Sequence, residues 1–397
     1  MQGHSIIHLL GIKDSHVELW DSGENEEGFW FELQTRVKSQ RCTGCGERTK
    51  RVHSYRVQKV QGTRMNGKQV TCYVKKRRYR CHGCRRTFYE RLSFVEKYQR
   101  HTVMVAQEAL TLSSEMSFTQ ASRLSGITTN RLLRMFDKRE VPVKNVLPRV
   151  IAIDEFKGDA ERERFQTIIV DVEKREIIDV LPDRRVETIE KYFRNCDTSQ
   201  VQIVVIDLSK AFKEAVRRQL GNPMIIADRF HYMRQVYWAF DKVRRDIQNE
   251  LLKTHRIRLK RNKEVLWKSP TKLDKKGKER VSELLAHDSR LQEAYELKND
   301  LDHWFKTSTK ETAKAGLEAW FTRVEKSGNE AFIKVVKTFK RWKQEILQSF
   351  MYPYNNGYIE GVNNTTKVIK RMSYGIKSFE RLRKKILWRQ TVRALLG

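Results

Sequence analysis

Two apolar runs in the middle of this chain each carry an aspartate. Asp154 lies within Val150-Ile151-Ala152-Ile153-Asp154-Glu155-Phe156, and Asp207 closes Val201-Gln202-Ile203-Val204-Val205-Ile206-Asp207. Such runs read as buried strands of an α/β sheet. A charge at the centre or mouth of a buried strand is costly to desolvate, so it needs a cation or a strong hydrogen-bonding partner. A third carboxylate, Glu360, follows Asn355-Asn356-Gly357 and opens a stretch that reads as a helix. There Glu360, Asn364, Lys367 and Arg371 share one face while Ile359, Val362, Thr366 and Ile369 share another. The polar face is expected to look at a ligand and the apolar one at the sheet.

Carboxylates suit one chemistry in particular. Cutting or rejoining a phosphodiester in line uses two Mg²⁺ ions, one to prepare the nucleophile and one to stabilise the leaving oxygen. Hard oxygen ligands fit Mg²⁺, which takes only a few carboxylates from the protein. The plainer alternative is that Asp207, ahead of Leu208-Ser209-Lys210, caps the following helix. Asp171, Asp179 and Asp228 also fall near expected strand ends.

Lys and Arg number 80 against 49 Asp and Glu, giving a net charge of +31 and a pI of about 10.0. That surplus implies a polyanionic partner, with salt-dependent attraction to phosphates. An anionic membrane is the competing surface, but no apolar stretch approaches the roughly 18 residues of a spanning helix. The N-terminus shows no signal-peptide pattern, so the expected location is the cytoplasm. A hydrophobic fraction of 39% is that of a globular chain, and 397 residues are enough for about two to four domains.

Four of the six cysteines form two knuckles, Cys42-Thr43-Gly44-Cys45 and Cys81-His82-Gly83-Cys84. Two Cys-x-x-Cys pairs complete a tetrahedral structural Zn²⁺ site, and the strand-like segments between them make the module resemble a zinc ribbon. A redox motif would not occur twice, and disulfides fit an intracellular basic protein poorly. Cys72 and Cys196 read as small buried hydrophobes. The basic run Lys75-Lys76-Arg77-Arg78-Tyr79-Arg80, with Arg85 and Arg86, is the part of the ribbon expected to touch phosphate.

Phe118 to Phe136 follows the pattern of a helix-turn-helix, with Gly126 at the turn, Ile127 after it, and Leu132 and Met135 facing the core. The second helix can enter the major groove, which would turn Thr128, Thr129, Asn130, Arg131 and Arg134 towards DNA. An ordinary helical hairpin is the alternative.

The expected organisation is a multidomain α+β chain. It comprises an N-terminal β element at 1–38, a zinc ribbon at 39–95, a helix-turn-helix at 96–140 and a proline-bracketed linker at 141–149. A catalytic α/β core follows at 150–240, interrupted by an all-helical insertion at 241–350, and it resumes at 351–397 with the helices that carry Glu360. The tryptophans of the insertion, Trp267, Trp304, Trp320 and Trp342, are expected in its core.

With these parts in place, the chain resembles the bacterial insertion-sequence transposases of the ISL3 group, over essentially its whole length. The resemblance rests on the four cysteines, Ile151-Ala152-Ile153-Asp154-Glu155, Val204-Val205-Ile206-Asp207, Ala227-Asp228-Arg229-Phe230-His231 and Asn356-Gly357-Tyr358-Ile359-Glu360-Gly361-Val362-Asn363-Asn364. It implies a ribonuclease-H-like core whose DDE triad is Asp154, Asp207 and Glu360. Asp154 and Asp207 would share a bridging position between two Mg²⁺ ions, with Mn²⁺ as a substitute, and Glu360 would hold the second ion. One structural Zn²⁺ would sit on Cys42, Cys45, Cys81 and Cys84. Lys367, Lys370 and Arg371 would grip the DNA backbone beside the scissile phosphate. His231 is similar to the histidine of a short acid-x-x-His motif beside the catalytic centre in related DDE enzymes; otherwise Asp228 caps a helix and His231 packs beneath it. The implied partners are the element's terminal inverted repeats, target DNA and further copies of the chain in a dimer or larger synaptic assembly, nucleoid-associated when DNA-bound. A DNA-binding transcriptional regulator, or a ribonuclease-H-like nuclease that does not join strands, are the rival readings.

Overall fold

The structure, a computed structural model, describes residues 2–373 and 375–396, and side chains from Ser5 onward. The chain divides into two compact units. One comprises residues 1–141, 368–375 and 384–397; the other comprises 142–367 and 376–383.

In the first unit, helix α1 (Gln2–Leu9) precedes strands β1 (Val17–Asn25) and β2 (Gly28–Thr35). The knuckle strands β3 (Gln40–Arg41) and β4 (Arg48–Thr49) follow, then a long hairpin, β5 (Val52–Met65) and β6 (Lys68–Arg80), and the short β7 (Thr87–Tyr89). The hairpin turns on Asn66-Gly67, both at positive φ (50° and 77°), the two-residue turn whose twist matches its strands. The N-terminal strands do not form a separate element. They continue the hairpin's sheet in the order β1-β2-β6-β5, with β2 parallel to β6 and β7 pairing antiparallel with the end of β6, beyond β2 and opposite β5. Gly28 marks the start of that parallel contact: its φ is +129°, and a Cβ there would fall 2.3 Å from the Gln69 carbonyl oxygen.

Strand β6 buries its residues in two phases. Val70, Cys72 and Val74 face a core built with Ile7, Leu10, Phe31 and Phe94, whereas Tyr79 faces a second small core with Cys42, Cys81 and Phe88. Cys72 is fully buried, and burial pushes its thiol up to about 12.

Helices α2 (Val103–Glu115), α3 (Phe118–Ser125) and α4 (Thr129–Lys138) complete the segment before residue 141. Trp388 and Val392 from the chain's last helix share their core. The sequence boundaries kept residues 351–397 with the catalytic core; in the structure residues 384–397 fall in the first unit, because these apolar side chains find their partners on α2 and α3.

The second unit holds a five-stranded sheet. Its elements run β8 (Val150–Ala160), β9 (Glu163–Asp171), β10 (Glu176–Leu181), α5 (Val186–Arg194), β11 (Ile203–Ile206), α6 (Lys210–Gln219) and β12 (Met224–Ala227). Strand order is β10-β9-β8-β11-β12; β8, β9 and β10 are antiparallel neighbours, while β11 and β12 run parallel to β8. This is the ribonuclease-H-like arrangement. Helix α7 (Arg229–Glu250) leads into the insertion, α8 (Lys253–Arg261), α9 (Lys263–Trp267), α10 (Lys275–Leu285), α11 (Ser289–Thr307), α12 (Ala313–Ser327), α13 (Glu330–Arg341) and α14 (Lys343–Met351).

The insertion shares one apolar cluster with the sheet, to which Ile153, Ile206, Tyr232, Trp304, Trp320, Phe339 and Trp342 all belong; Trp267 packs against it partly buried. Buried Trp304 and Trp320 each satisfy their indole N–H on a backbone carbonyl, of Ala313 and Leu297 respectively, both at 2.9 Å. Helix α14 lies on β12, and the Tyr232 hydroxyl meets Ser349 Oγ at 3.2 Å. Two final helices, α15 (Gly357–Met372) and α16 (Phe379–Leu396), each begin in the second unit and end in the first.

Candidate catalytic centre and nucleic-acid interface

The parallel register of the second unit's sheet places three aspartates in a row. Ile153 pairs with Ile206, and Ile206 with Ala227, so Asp154, Asp207 and Asp228 each stand one position beyond a matched residue on β8, β11 and β12. Neighbouring strands lie about 4.8 Å apart, close enough for adjacent carboxylates to repel. Asp154 is 4% exposed, and burial, with the charges of Asp207 and Asp228 added, pushes its carboxyl up to about 7. Burial likewise carries Asp207 to about 6. The Asp154 Oδ1 accepts the Glu155 N–H at 2.8 Å, and Asp207 Oδ1 accepts the Ser209 N–H at 2.9 Å.

Asp228 does two things at once. It caps α7, accepting the His231 backbone N–H at 3.2 Å, and its Oδ2 takes the His231 Nδ1 at 2.9 Å. Burial works to lower the imidazole pKa, but the bond to Asp228 and the charges of Asp154, Asp228 and Asp207 outweigh it and raise the value. One carboxylate thus both caps α7 and holds the His231 ring.

The helix carrying Glu360 is fastened to this row at two points. Ahead of α15, the Asn356 N–H donates to Asp228 Oδ1 at 3.1 Å; within it, Asn363 Nδ2 donates to Asp154 Oδ2 at 3.1 Å. Glu360 lies four residues after the first and three before the second, on the same helical face as both. Its own backbone N–H closes the first turn on the Asn356 carbonyl at 3.0 Å. Helical periodicity puts Asn364 on the ligand face and gives Asn356 and Asn363 no role. In the structure Asn364 is exposed and Asn363 is buried. The signal was present: Asn356, Glu360 and Asn363 recur at i, i+4 and i+7.

The carboxylate oxygens are hard donors of the kind a divalent cation takes, and burial raises the pKa of two of the groups, Asp154 and Asp207. Buried polar atoms without partners, Asn363 Oδ1 and both side-chain heteroatoms of Asn356, lie on the same stretch. The carboxylates are not drawn tight. Among the described residues, only the four cysteines bring three or more His, Cys, Asp or Glu ligand atoms within 4.8 Å of one another.

At the cysteine site the sulfurs of Cys42 and Cys84 are 3.4 Å apart and those of Cys45 and Cys81 3.5 Å. A Zn²⁺ with bonds of ~2.3 Å needs tetrahedral sulfurs about 3.8 Å apart, so the four fit such an ion. Backbone N–H groups of Cys45 and Gly44 hold the Cys42 thiol down to about 6, whereas burial and the neighbouring thiols push Cys81 and Cys84 up. Glu47 braces the second knuckle, accepting from Gly83 N–H at 2.9 Å and Cys81 Sγ at 3.5 Å. A Cβ at Gly83 would sit 2.1 Å from a Glu47 carboxylate oxygen, so a larger residue there would displace the Glu47 side chain.

The basic run of the ribbon is not uniformly available. Arg77 is buried, with Nη1 on Thr35 Oγ1 at 2.6 Å and 3.8 Å from Glu90, so it is a structural cation. Lys75, Arg80, Arg85 and Arg86 are exposed.

Helix α3 begins in a reciprocal cap between Ser117 and Gln120 and ends at Gly126, which is left-handed with φ 76°. Ile127, Leu132 and Phe136 are buried behind the turn; Met135, expected in the core, is only partly so, and Phe136 takes its place against Phe118. Thr128, Asn130 and Arg134 are exposed, and Thr129 is partly so. Arg131 is engaged with the Gln99 side chain. On α15, Lys367 and Arg371 are exposed and Lys370 is partly buried; Lys367 Nζ lies 3.5 Å from Asn364 Oδ1.

Comparison with known proteins agrees with these three modules. Residues 151–386 match a DDE-type family of the ISL3 group described as transposase; residues 90–140 match the helix-turn-helix domain of transposase family ISL3. Residues 38–84 match the zinc-finger of transposase IS204/IS1001/IS1096/IS1165. The chain belongs to the ISL3 family of DDE transposases. Among its relatives, the transposase for insertion sequence element IS1001 of Bordetella parapertussis is 28% identical over 365 residues, 88% of either chain. The transposase for insertion sequence element IS1557 of Mycobacterium tuberculosis is 23% identical over 256 residues, 58% of this chain and 57% of that one. No helix among the described residues is long and apolar enough to cross a membrane.

Proposed function

We propose that this transposase binds the terminal inverted repeats of its own element through the zinc ribbon and helix-turn-helix. Its carboxylate row then cuts at the element ends and joins the freed 3′ hydroxyl to target DNA. The observation that supports this reading is the double fastening of α15: Asn356 and Asn363, bonded to Asp228 and Asp154, lie on either side of Glu360 in the sequence.

Asp154, Asp207 and Glu360 would hold two Mg²⁺ ions, or Mn²⁺ in their place, which when bound supply the positive charge that activates the nucleophile and stabilises the leaving oxygen. The chain's own residues do the rest. Asn363 fixes the orientation of Asp154. His231, with Nδ1 committed to Asp228, has Nε2 left to meet substrate and brings positive charge when protonated. Lys367, Lys370 and Arg371 follow Glu360 along α15 and grip the DNA backbone. Asn130 and Arg134, with Thr128 and Thr129, read the repeat; Arg131 joins them if it leaves Gln99. Cys42, Cys45, Cys81 and Cys84 hold one Zn²⁺ that stabilises the ribbon. Two ends must be brought together, so the working form is a dimer or larger assembly, acting in the bacterial cytoplasm on the nucleoid.

Gel-shift and cleavage assays on Asp207→Asn test this. Binding close to that of the wild type, with no strand released in Mg²⁺, supports the assignment; continued cutting sinks it. Products in which element ends are joined to target separate this activity from that of a nuclease. A transcriptional regulator would retain its activity in Asp154→Ala.

A further inference from the structure

A stripe of aromatic and basic side chains leads along α7 away from the carboxylate row. Phe230, Arg234, Trp238 and Lys242 follow one another at intervals of four, so they line one side of the helix. Phe230 is 53% exposed and Trp238 52%, large apolar faces left in water. The Arg234 guanidinium lies between them, 5.1 Å from the Phe230 ring and 4.8 Å from the Trp238 ring. Its Nε is buried without a hydrogen-bond partner. At its near end the Phe230 ring meets the His231 ring edge-on at 5.7 Å, so the stripe starts beside the residue that faces the three aspartates. At its far end Trp238 opens into a groove of about 490 Å³, shared with Lys242, Arg245 and Lys334.

Rings held over a guanidinium are pre-oriented at small entropic cost, and their outer surfaces have nothing to pack against. Alternating cations and aromatic faces are what a single nucleic-acid strand requires: phosphates meet the charges and unstacked bases meet the rings. A duplex keeps its base faces stacked inside and offers the rings little. Lys242 and Arg245 are partly offset by Asp246 at 3.2 Å and Asp241 at 3.3 Å, yet Lys334 in the groove and Arg234 along the stripe keep a basic surplus. From Phe230 to Trp238 the helix rises roughly 12 Å, the length of about three to four stacked nucleotides.

We infer that this face of α7 holds a short unpaired stretch of the DNA strand whose phosphate lies at the carboxylate row, with bases stacked on Phe230 and Trp238. The inference rests on the catalytic assignment above and adds to it the form of DNA at the cleavage site: the strand is unpaired next to the bond that is cut.

The test uses the full chain, a fluorescent oligothymidylate and a blunt duplex of equal length, with affinities read by anisotropy. Trp238→Ala is expected to weaken oligothymidylate binding at least about fivefold, the lower end of what one lost base stack costs. Duplex binding should change less than about twofold, and Trp238→Phe should restore single-strand affinity. Photocrosslinking with iodouracil-substituted oligothymidylate should mark Phe230 or Trp238. Unchanged single-strand affinity in Trp238→Ala, or equal losses for both probes, overturns the inference. So does a shift in oligomeric state with single-strand affinity intact, which would make the stripe an interface between copies. Asp207→Asn separates the two readings: if it still cuts while Trp238→Ala loses single strands, the catalytic assignment has failed and the stripe stands.

Discussion

Asn363 reaches back across 209 positions of sequence to donate its side-chain N–H to Asp154 at 3.1 Å. A hydrogen bond to a charged group contributes about 1.5–3 kcal/mol. Here it also sets where the first turn of α15 sits relative to the row. Asn363→Ala is expected to lower strand cleavage by about 10- to 100-fold while end binding in a gel shift stays near the wild-type level. Equal losses in both assays would mean that Asn363 only supports the fold.

The raised pKa of Asp154 makes stability depend on pH. A carboxyl with a higher pKa folded than unfolded binds more protons in the folded state. Its contribution is therefore complete below the ordinary value of 3.8 and is lost as pH rises through about 7. Asp154→Asn removes that loss, and the Asn363 amide can turn so that its unpartnered Oδ1 accepts from the new side chain. In Mg²⁺-free buffer the variant should be more stable than wild type at pH 8, by up to about 3–4 kcal/mol, with the gain shrinking towards zero near pH 4. Thermal melts across that range check it, and a gain that does not vary with pH would contradict it.

Arg77 and Arg80 lie on the same strand yet should behave differently when changed to alanine. Arg77→Ala leaves Glu90 buried without its cation, which costs about 3–5 kcal/mol and should appear in urea melts. Arg80 is exposed, so Arg80→Ala should leave stability within ~0.5 kcal/mol. If Arg80 meets a phosphate, its loss should also reduce the salt dependence of DNA binding by about one charge.

Zinc removal should act locally. Elemental analysis is expected to find one zinc per chain, lost in Cys81→Ser. Proteolysis of that variant should open the segment around residues 40–90 first, while the sheet of the second unit stays protected. A variant that keeps its metal and its protease resistance would exclude the four-cysteine site.

Much of the second unit was legible because buried parallel strands must be continuously apolar, and β11, β12 and the first four residues of β8 that pair with β11 are. Asp154 and Asp207 stood out against that background. The partner of Asp154 did not: Asn363 and Asn364 are adjacent amides, and only packing decides which turns inward. Helix α1 escaped because eight residues cannot sustain a helix by local preference; its contact with the β1 segment holds it. Arg77 read as one of a run of free cations because β6 changes its buried face partway along, from Val74 to Tyr79. A fixed period-two pattern misses such a change of phase.

The end of α16 gives the DNA-reading module a dependence on time. Trp388 donates its indole N–H to the Leu110 carbonyl at 2.8 Å, a contact between residues 278 positions apart, and Arg389 and Arg393 both pair with Glu115. A ribosome adding ~5–20 residues each second needs roughly 15–55 s to travel from one partner of that bond to the other. For that interval α2 and α3 wait with one side of their core uncovered. A chain cut short before α16 therefore lacks Trp388 and Val392 from that core and leaves the apolar side chains they cover open to water.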